Sequence, residues 1–383
     1  MKFSSRVRGL AESETLRLFS EVACLRARGQ DVVSLLEGEP DLPAPAAALR
    51  ATAQALRQGR TRYSSSSGLL ELKALIARKL TRENAVPAGP ENILIANGAK
   101  QALYETLQTL AGPGDEILIP SPCWVTFPEA VKLAGAKPVL VPTRAHQLDV
   151  NALRKAVTAK TKAIILNTPN NPTGAVYPEA ALRAVADLAE RRGLTIISDE
   201  AYERLVYDGR RHRSVASLGK KAFERTVTIQ TLSKSFSMTG FRVGYLAAPV
   251  DFVQKASRLH GHMTGNVCTF VQHGAMAALR LGPGEGERRR AGYQKRRDLA
   301  YRLGTKLFDC LKPRGGLFLF ADVRRYLGSK HKDSAALAGY LLREAKVAVV
   351  PGSAFGAEGF VRISFSGSEQ DLRQGFARME RAL

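Results

Sequence analysis

The stretch AIILNTPNNPTGAVYPEAALRAVADLAERRGLTIISDEAYE, residues 163–203, decides the fold of this chain. It begins with an apolar run, AIIL, followed at once by the polar turn NTPNNPTG. A helical pattern then covers residues 178–193, with apolar residues three and four apart, Pro178 near its start and Gly193 at its end. A second apolar run, LTII, leads into the polar segment SDEAYE. This order predicts a crossover unit of a parallel sheet, with polar residues at the carboxyl ends of both strands.

The same alternation extends to both sides of that unit. From Ile93 to Ala248, β-rich runs alternate with helix-length amphipathic stretches; the runs are NILIA, EILIP, KPVLVP, AIILN, LTIIS, TVTIQ and GYLAA. The pattern predicts an α/β fold with a mainly parallel seven-stranded sheet covered by helices. After residues 282–284 the order changes to a long basic helix, the run GGLFLFADV, a helix near residues 334–345, and the runs KVAVVPG and FVRISF. This part predicts a smaller α+β unit, and 383 residues exceed what one core usually supports.

Composition and cysteine spacing argue against several classes of protein. Apolar residues make up 45% of the chain, yet no apolar run approaches the ~20 residues that a membrane-spanning helix needs. The first residues, MKFSSRVRGL, lack the apolar core of a signal peptide, so we expect a cytoplasmic protein. The cysteines are Cys24, Cys123, Cys268 and Cys310. Because no two of them form a C-x-x-C pair, we expect neither a disulfide framework nor a zinc site, and no metal.

The net charge of +22, from 57 basic and 35 acidic residues, raises the question of a nucleic-acid partner. The densest basic run, GERRRAGYQKRRD at residues 286–298, has the pattern of a helix. A nucleic-acid binder usually adds a recognisable module or aromatic residues interleaved with the basic stripe, and the sequence has neither. We therefore interpret the run as a solvated helical face near a domain junction and expect no nucleic-acid partner. The surplus charge would help to attract anionic substrates and cofactor.

One lysine, Lys234, lies among small and hydroxyl-bearing residues in the segment TLSKSFSMTGFRVG, residues 231–244. A lysine amine forms a Schiff base only when unprotonated, which requires burial or a neighbouring positive charge to lower its pKa. The hydroxyls of Thr231 and Ser233 and the guanidinium of Arg242 are directed donors that suit a phosphate ester. Taken alone, such a segment is more often a surface loop with a solvated lysine.

Further segments favour the functional interpretation. NTPNNPTG and SDEAYE place Asn171, Asp199 and Tyr202 just beyond strand ends, where open α/β sheets bind ligands. ANGAKQAL, residues 96–103, follows the run NILI and opens a helical pattern, so its free amides can face an anion. FVRISF places a lone Arg362 within an alternating apolar run.

Together these segments resemble the pyridoxal-phosphate-dependent aminotransferases of the aspartate aminotransferase family, which share the fold type I architecture. The resemblance covers nearly the whole chain, from VVSLLEGEPDLPAP at residues 32–45 to VVPGSAFGAEGFVRISF at residues 349–365. It implies a large cofactor-binding domain over residues 45–284 and a discontinuous small domain made of residues 1–44 and 285–383. It also implies pyridoxal 5'-phosphate as cofactor and a homodimer with composite active sites.

The resemblance implies catalytic roles for three residues. Lys234 would hold the cofactor as a Schiff base and, once displaced by substrate, would move the α-carbon proton. Asp199 would keep the pyridine nitrogen protonated, the alternative being a carboxylate that caps the next helix. Tyr202, together with Asn171, would donate hydrogen bonds to the phenolic oxygen of the cofactor. Asn171 is otherwise the turn residue before Pro172.

Other residues are expected at the ring and the phosphate of the cofactor. Trp124 would stack on the ring, although a lone tryptophan is more often a core or interface residue. The groups expected around the phosphate are Gly98, Ala99, Lys100, Thr231, Ser233 and Arg242. Tyr63 matches a tyrosine that reaches the phosphate of the neighbouring subunit in this family. Asn266 lies in a stretch that family dimers bring to the partner's site.

The residues expected at the substrate are Thr15, Gly38, Lys100, Trp124, Asn171 and Arg362. Arg362 would bind the α-carboxylate through its planar fork, which lysine cannot reproduce, and the backbone of Gly38 would be the second contact. Lys100 matches a lysine of bacterial members that act on aspartate or prephenate; the alternative is a solvated lysine at a helix start. Thr15 lies in AESETLRL, where Ala11 and Glu12 replace the more usual lysine and proline.

Three functions remain open from the sequence. The first is an aminotransferase that moves the amino group of an L-amino acid, aspartate first and an aromatic one second, to a 2-oxo acid such as 2-oxoglutarate in ping-pong half-reactions. The second is another enzyme on this scaffold, such as a carbon–sulfur lyase or a cyclopropane-forming synthase. The third is a nucleic-acid-associated regulator, but such regulators carry a DNA-binding module before the enzyme-like part, and LEGEPD begins too early to leave room for one.

Overall fold

The computed structural model describes residues 1–383, apart from the side chains of residues 5, 6 and 283. Its helices are α1 Ser5–Arg8, α2 Glu14–Ala27, α3 Ala46–Arg57, α4 Leu70–Asn84, α5 Ala99–Leu110, α6 Thr126–Leu133, α7 Val150–Ala156, α8 Glu179–Arg192, α9 Lys220–Glu224, α10 Leu232–Ser235, α11 Val250–Met263, α12 Thr269–Leu279, α13 Pro283–Leu307, α14 Ser334–Arg343 and α15 Glu369–Ala382. Its strands are β1 Val33–Ser34, β2 Ile93–Ala96, β3 Glu116–Ser121, β4 Lys137–Pro142, β5 Thr161–Asn167, β6 Thr195–Asp199, β7 Thr226–Thr231, β8 Gly244–Ala247, β9 Asp309–Cys310, β10 Phe318–Asp322, β11 Val347–Ala348, β12 Val350–Pro351 and β13 Phe360–Ser364.

The central sheet has seven strands in the order β2-β8-β7-β6-β5-β3-β4. Strands β4, β3, β5, β6 and β7 are parallel to one another, and β8 is antiparallel to its neighbours β7 and β2. Every residue of β2, β7 and β8 is buried, because helices cover both faces of the sheet and no face is left to water. The α/β fold with a mainly parallel seven-stranded sheet is therefore confirmed.

The two faces of the sheet carry separate apolar layers. On one face, α5, α6 and α11 pack on alternate residues of the strands, such as Leu94 and Ile197. On the other face, α4 and α12 pack at the β2 end, and α7 and α8 pack over β5 and β6, against residues such as Ile95 and Ile196. The crossover unit predicted for residues 163–203 is present as β5, α8 and β6, and Gly193 ends the helix with a left-handed φ of +67°.

The C-terminal part forms a second, smaller layer structure. Its four-stranded sheet has the order β12-β13-β10-β9 and is antiparallel throughout. Strand β1 pairs in parallel with β11, so residues 33–34 join the C-terminal part of the chain. This pairing supports the discontinuous small domain expected from the sequence, whose boundaries stay a prediction. Among the helices that the structure describes, none combines the length and the apolar character needed to cross a bilayer.

The basic run at residues 286–298 lies on α13, and its interpretation as a solvated face is wrong for part of the run. Arg297 is fully buried, where it donates to both carboxylate oxygens of Asp208 and to the carbonyl of Pro313. Arg289 is also buried and donates to the carbonyl of Pro43 and to the hydroxyl of Ser237. These arginines face inward because α13 lies at the junction between the two parts of the chain, where carbonyls and a carboxylate need donors.

Candidate active site

A cavity of about 380 Å³ opens at the carboxyl ends of β5, β6 and β7, the edge where parallel sheets bind ligands. Of the residues predicted from the sequence, it brings together Thr15, Gly38, Ala99, Lys100, Trp124, Asn171, Asp199, Tyr202, Thr231, Ser233, Lys234, Arg242 and Arg362. Gly98 lies directly behind this lining, next to Arg242. The cavity therefore collects residues that are up to 347 positions apart, from Thr15 to Arg362 (362 − 15 = 347).

Lys234 lies in the single turn of α10 that follows β7. Thr231 caps this turn, since its hydroxyl accepts a hydrogen bond from the amide of Ser233 at 3.2 Å. The Lys234 Nζ donates to the carbonyl of Gly38 at 2.7 Å. Burial, helped by the positive charges of Arg242 and Arg362, lowers the pKa of Lys234 to about 8, against the opposing charges of Glu39 and Asp199. With this pKa, about a tenth of the amine is unprotonated at pH 7 and about half at pH 8, and the unprotonated form is the one that nucleophilic and base chemistry requires.

Asp199 is the last residue of β6 and is 4% exposed. Its Oδ1 accepts from the backbone amide of Ala201 at 3.1 Å. Burial raises the pKa of Asp199 to about 7; the charge of Glu200 adds to this rise, and the Ala201 amide and the positive charge of Lys234 oppose it. A cationic N–H partner inside the cavity would stabilise the ionised form of this buried carboxylate.

The start of α5 forms an anion cradle with α10 and Arg242. Gly98 has a φ of +81°, and a Cβ there would lie 2.5 Å from Nη2 of Arg242. A Cβ at Gly244 would likewise lie 2.6 Å from the amide nitrogen of Ala99. Only glycine at both positions lets the guanidinium and the helix amides approach one another. Free amides, two hydroxyls and a guanidinium at one helix N-terminus are the donors that a phosphate ester needs.

Tyr202, Asn171 and Trp124 form the walls between the cradle and Arg362. Tyr202 is buried with its ring edge-on to Phe318, 6.0 Å between centroids, and burial raises its pKa above the usual range. The amide nitrogen of Asn171 donates to Oδ1 of Asn167 at 2.8 Å. Trp124 lines the cavity and also packs on the apolar layer of α6, so it is in part a core residue, and its stacking on the cofactor ring stays a prediction.

Arg362, on β13, is a buried cation with uncharged partners. Its guanidinium donates to Oδ1 of Asn171 at 2.9 Å and to the carbonyl of Leu36 at 2.7 Å. Its Nε has no hydrogen-bond partner within the part of the chain that the structure describes. The group lies 4.1 Å from the ring centroid of Phe318 and 4.8 Å from that of Phe355, and burial lowers its pKa to about 10. Because a buried cation is costly without an anion, this arrangement suits an anionic ligand, and the expected contact with a substrate carboxylate stays a prediction.

Two predicted residues lie outside this cavity. The side chain of Tyr63 is 95% exposed, and Asn266 donates to the hydroxyl of Ser64 at 3.2 Å and to the carbonyl of Val267 at 2.7 Å. Neither lines the cavity of its own chain. Their expected role belongs to a site on a second copy and stays a prediction.

Several lining residues were missed by the sequence reasoning, among them Leu16, Phe19, Glu39, Asn167, Thr239 and Phe318. Glu39 hydrogen-bonds the hydroxyl of Thr239, and its place beside Gly38 in LEGEPD was a usable signal. Phe318 had no such signal, since GGLFLFADV reads as an ordinary core strand. It contacts the site because β10 pairs with β13, which sets Phe318 opposite Ser364 and close to Arg362.

A family model described as aminotransferase class I and II matches residues 30–379. The chain belongs to the class I and II aminotransferases. This aminotransferase is 41% identical to a probable aspartate/prephenate aminotransferase of Aquifex aeolicus, over 99% of this chain and 98% of the relative. It is 39% identical to an aspartate aminotransferase of Bacillus subtilis, over 100% and 98%.

Solved structures support the same relationship. The structure of the aspartate aminotransferase of Thermus thermophilus with maleate matches this aminotransferase with a TM-score of 0.95 at 37% identity, covering 100% of both chains. The fold type I architecture expected from the sequence is thereby confirmed. The enzyme uses pyridoxal phosphate and moves an amino group between an amino acid and a 2-oxo acid.

The residues of the cavity fit this cofactor. The glycine at position 98 leaves the space beside Arg242 that a phosphate would fill, and a Cβ would close it. Asp199 offers a buried carboxylate to a protonated ring nitrogen, and Lys234 offers an amine of lowered pKa to the aldehyde. The cavity thus offers a suitable partner for the phosphate, the ring nitrogen and the aldehyde of pyridoxal phosphate.

Proposed function

We propose that this aminotransferase takes the amino group of an amino acid with an acidic side chain, aspartate first, and passes it to 2-oxoglutarate in two ping-pong half-reactions. The observation that carries the proposal is a pair of cationic side chains, Arg362 and Lys100, in one cavity with the cofactor-binding residues. A dicarboxylic substrate needs two such groups, because an unpaired carboxylate is costly to bury. An aromatic amino acid is the second candidate, and Trp124, Leu16 and Phe19 supply apolar lining for it.

Arg362 is proposed to bind the α-carboxylate. Nη1 and Nη2 each give one of their two N–H groups to Asn171 and to Leu36, which leaves one N–H on each nitrogen for a bidentate contact. Gly38 supplies backbone next to this point, and it must be glycine, since a Cβ there would lie 2.8 Å from Cζ of Phe318. Both contacts orient the α-carbon toward Lys234, whose Nζ hydrogen-bonds the carbonyl of Gly38.

Lys100 is proposed to bind the side-chain carboxylate. Its Nζ lies 5.2 Å from the ring centroid of Trp124, and burial together with the charge of Arg242 lowers its pKa. An anionic substrate group would offset both effects and favour the charged amine. Thr15 supplies a hydroxyl to the same cavity. Since Ala11 and Glu12 bring no cation, Lys100 carries this contact in the proposal.

When bound, pyridoxal phosphate supplies an electron sink for the bonding pair of the substrate α-carbon. The residues around it move and hold protons. Lys234 takes the proton from the α-carbon and returns it at the cofactor end of the site, which suits a base with a pKa near the working pH. Asp199 would hold a proton on the ring nitrogen, and Tyr202 and Asn171 would donate to the phenolic oxygen. Phe318 and Trp124 limit access of water.

We also propose the assembly and organisation that the resemblance implies. The exposed ring of Tyr63 would reach the phosphate of a neighbouring copy, with Asn266 close by, in a homodimer of composite sites. The large domain would span residues 45–284, and the small domain residues 1–44 and 285–383. A cytoplasmic location fits an enzyme of this chemistry with reduced cysteines.

The test mixes protein loaded with pyridoxal phosphate with single amino acids and follows the cofactor spectrum and the products. We expect aspartate to convert the cofactor to its pyridoxamine form with one equivalent of oxaloacetate, and 2-oxoglutarate to reverse the spectrum. Phenylalanine and tyrosine test the second candidate, and Lys234→Ala is the inactive control. Release of ammonia, sulfide or pyruvate without the pyridoxamine form would contradict transamination and favour a lyase.

A further inference from the structure

In the turn that ends β6, Asp199–Glu203, the side chains lie in two different surroundings. Asp199 and Tyr202 line the cavity. Glu200 and Glu203 point away from it into the protein, with side chains 0% and 8% exposed. Two buried carboxylates directly beside two site residues require partners, and these partners form one continuous network.

Glu203 is held from α4. It forms a buried ion pair with Lys79, whose side chain is 7% exposed. Asn84, at the end of the same helix, donates its Nδ2 to Oε2 of Glu203 at 2.7 Å and accepts from Lys79 Nζ at 2.9 Å. The three side chains therefore close a ring of hydrogen bonds around the carboxylate. This ring fixes the residue next to Tyr202 to α4.

Glu200 is held from the other side. Its Oε1 accepts from the hydroxyl of Ser198 at 2.9 Å and from that of Ser214 at 2.7 Å. Nε2 of His212 lies 3.0 Å from its Oε2. These contacts lower the pKa of Glu200 in spite of its burial, with His212 the largest favourable contribution. The residue next to Asp199 is thereby fixed to the loop at residues 212–214.

Gln230, on β7, joins the contacts around Glu203 to those around Glu200. Its Nε2 donates to Oε2 of Glu200 at 2.9 Å, and its Oε1 accepts from Lys79 Nζ at 2.5 Å and from the hydroxyl of Tyr245 at 2.5 Å. Gln230 is 1% exposed, so these bonds lie in the core, where polar networks are strong only when fully satisfied.

We propose that this buried network is a positioning device of the transamination site, in which Lys79, Glu203 and Gln230 hold the turn so that Asp199 and Tyr202 keep fixed positions toward the cofactor. The inference rests on the proposed roles of Asp199 and Tyr202. Residues 200–203 belong to neither a helix nor a strand. Backbone bonds tie the start of the turn to β7, through Glu200 N to Ile229 O at 2.9 Å, and close the turn, through Glu203 N to Glu200 O at 3.0 Å. The side chains of Glu203 and Glu200 add the contacts with α4 and with the loop at residues 212–214. None of the three positioning residues lines the cavity.

The alternative is a network that only stabilises the fold. The variant Glu203→Gln separates the two, because glutamine keeps the shape and the bond to Asn84 but leaves Lys79 without its counter-charge. The double variant Lys79→Gln with Glu203→Gln restores charge balance with altered geometry. Glu105→Gln is the matched control: Glu105 is a fully buried carboxylate 2.7 Å from His260 Nδ1, between α5 and α11 and away from the turn.

The first readout needs no cofactor. Backbone hydrogen exchange of the peptide covering residues 199–205 is measured by mass spectrometry in cofactor-free protein. We expect exchange to accelerate by about tenfold or more in Glu203→Gln and to stay at the wild-type rate in Glu105→Gln, even where both variants lose thermal stability. Wild-type exchange in folded Glu203→Gln would overturn the proposal.

The second readout is the absorbance of the loaded enzyme against pH, together with kcat and KM for aspartate. We expect the absorbance midpoint to shift by about half a pH unit or more, and kcat to fall about tenfold with KM changed less than about threefold, in Glu203→Gln and the double variant but not in Glu105→Gln. An unchanged midpoint and kcat in both variants would overturn the proposal.

If Glu203→Gln does not fold, the same measurements are made on Tyr245→Phe, which removes one hydroxyl from the network. Smaller changes in the same direction support the positioning role, and wild-type values contradict it. Failure of the proposed function can be told apart from failure of the positioning role. If the proposed function is wrong, the wild type itself does not transfer the amino group. The hydrogen-exchange measurement does not depend on that activity.

Discussion

In the proposed site, Arg362 would set the affinity for substrate through its shape as well as its charge. The guanidinium is fixed by Asn171 and Leu36 on one side and by the rings of Phe318 and Phe355 on its faces. A substrate carboxylate therefore meets a donor that is already oriented, and little side-chain entropy is lost on binding.

Arg362→Lys should keep the positive charge and lose the fork. We expect kcat/KM for aspartate to fall by about 100-fold, as is typical when one partner of a buried charged hydrogen bond is lost, while the affinity for pyridoxal phosphate stays within about twofold. Steady-state kinetics and cofactor titration measure both quantities. Arg288→Lys, on the exposed side of α13, is the control. Equal losses in both variants would contradict a specific carboxylate site.

Asp199 makes the cofactor-free protein sensitive to pH. Burial raises its pKa to about 7 from an ordinary value of 3.8, so between these values the folded protein holds a proton that the unfolded chain has released. The contribution of Asp199 to the free energy of unfolding is therefore fully present below about pH 4 and is lost as the pH rises through about 7.

Asp199→Asn removes this titration. We expect the cofactor-free variant to be more stable than the wild type above about pH 7, by on the order of a few kcal/mol, with the difference closing toward about pH 4. Urea unfolding across that range measures it, and Asp187→Asn, at an exposed position of α8, is the control. A difference that grows as the pH falls would have the wrong sign for a carboxyl with a raised pKa.

At the scale of elements, the site is made by helix starts and strand ends that meet at one edge of the sheet. The start of α5 and the turn α10 share the anion cradle, and Gly98 is the point of closest approach between backbone and Arg242. Adding a single methyl group at position 98 should therefore be enough to lower the affinity for the cofactor phosphate.

Gly98→Ala should lower the affinity for pyridoxal phosphate by about tenfold or more, because the added Cβ would displace Arg242 and the left-handed φ of +81° strains alanine. Equilibrium titration of cofactor absorbance gives the dissociation constant. Gly112→Ala is the matched control, since a Cβ there would meet nothing within 4 Å and its φ is ordinary. Unchanged affinity in Gly98→Ala would contradict a role of the anion cradle in binding the phosphate.

The sequence predicted helices and strands well where a short, local pattern of apolar residues determines them. Seven apolar runs gave the strands of the large sheet, and polar residues after those runs gave Asn171, Asp199 and Lys234. Long-range pairing was not readable: β1 has two residues and exists because it pairs with β11. The inward arginines of α13 were misjudged because charge alone predicts solvent exposure, and their partners lie on distant segments.

The buried network shows a similar limit at the site itself. SDEAYE displays two glutamates, but its sequence does not reveal which carboxylates face the cavity and which face the core. That distinction depends on Lys79, Gln230 and the loop at residues 212–214, which only the folded chain brings together.

At the scale of the whole molecule, the site of one chain lacks the tyrosine that the family resemblance assigns to its phosphate. Tyr63 projects from a loop that is firmly held: Gln272 accepts from the amide of Leu69 at 2.8 Å, and Thr269 donates to the carbonyl of Arg62 at 2.8 Å. A fixed loop with an exposed aromatic tip suits contact with a second copy.

Mixing two defective variants should restore activity if the sites are composite. Lys234→Ala supplies Tyr63 and Tyr63→Ala supplies Lys234, so each mixed dimer would contain one intact site. After random assembly, about one quarter of all sites would be intact. We expect kcat/KM of the refolded mixture to exceed the mean of the two separate variants, and sedimentation equilibrium to give a dimer mass. Activity equal to that mean would mean that each chain works alone.

The mechanism depends on a covalent bond between Lys234 and the cofactor. Protein loaded with pyridoxal phosphate is reduced with borohydride, digested, and mapped by mass spectrometry. We expect one phosphopyridoxyl group per chain, on the peptide containing Lys234, and loss of the label in Lys234→Ala. A label on Lys100 or on any other lysine in place of Lys234, or no label at all, would contradict it.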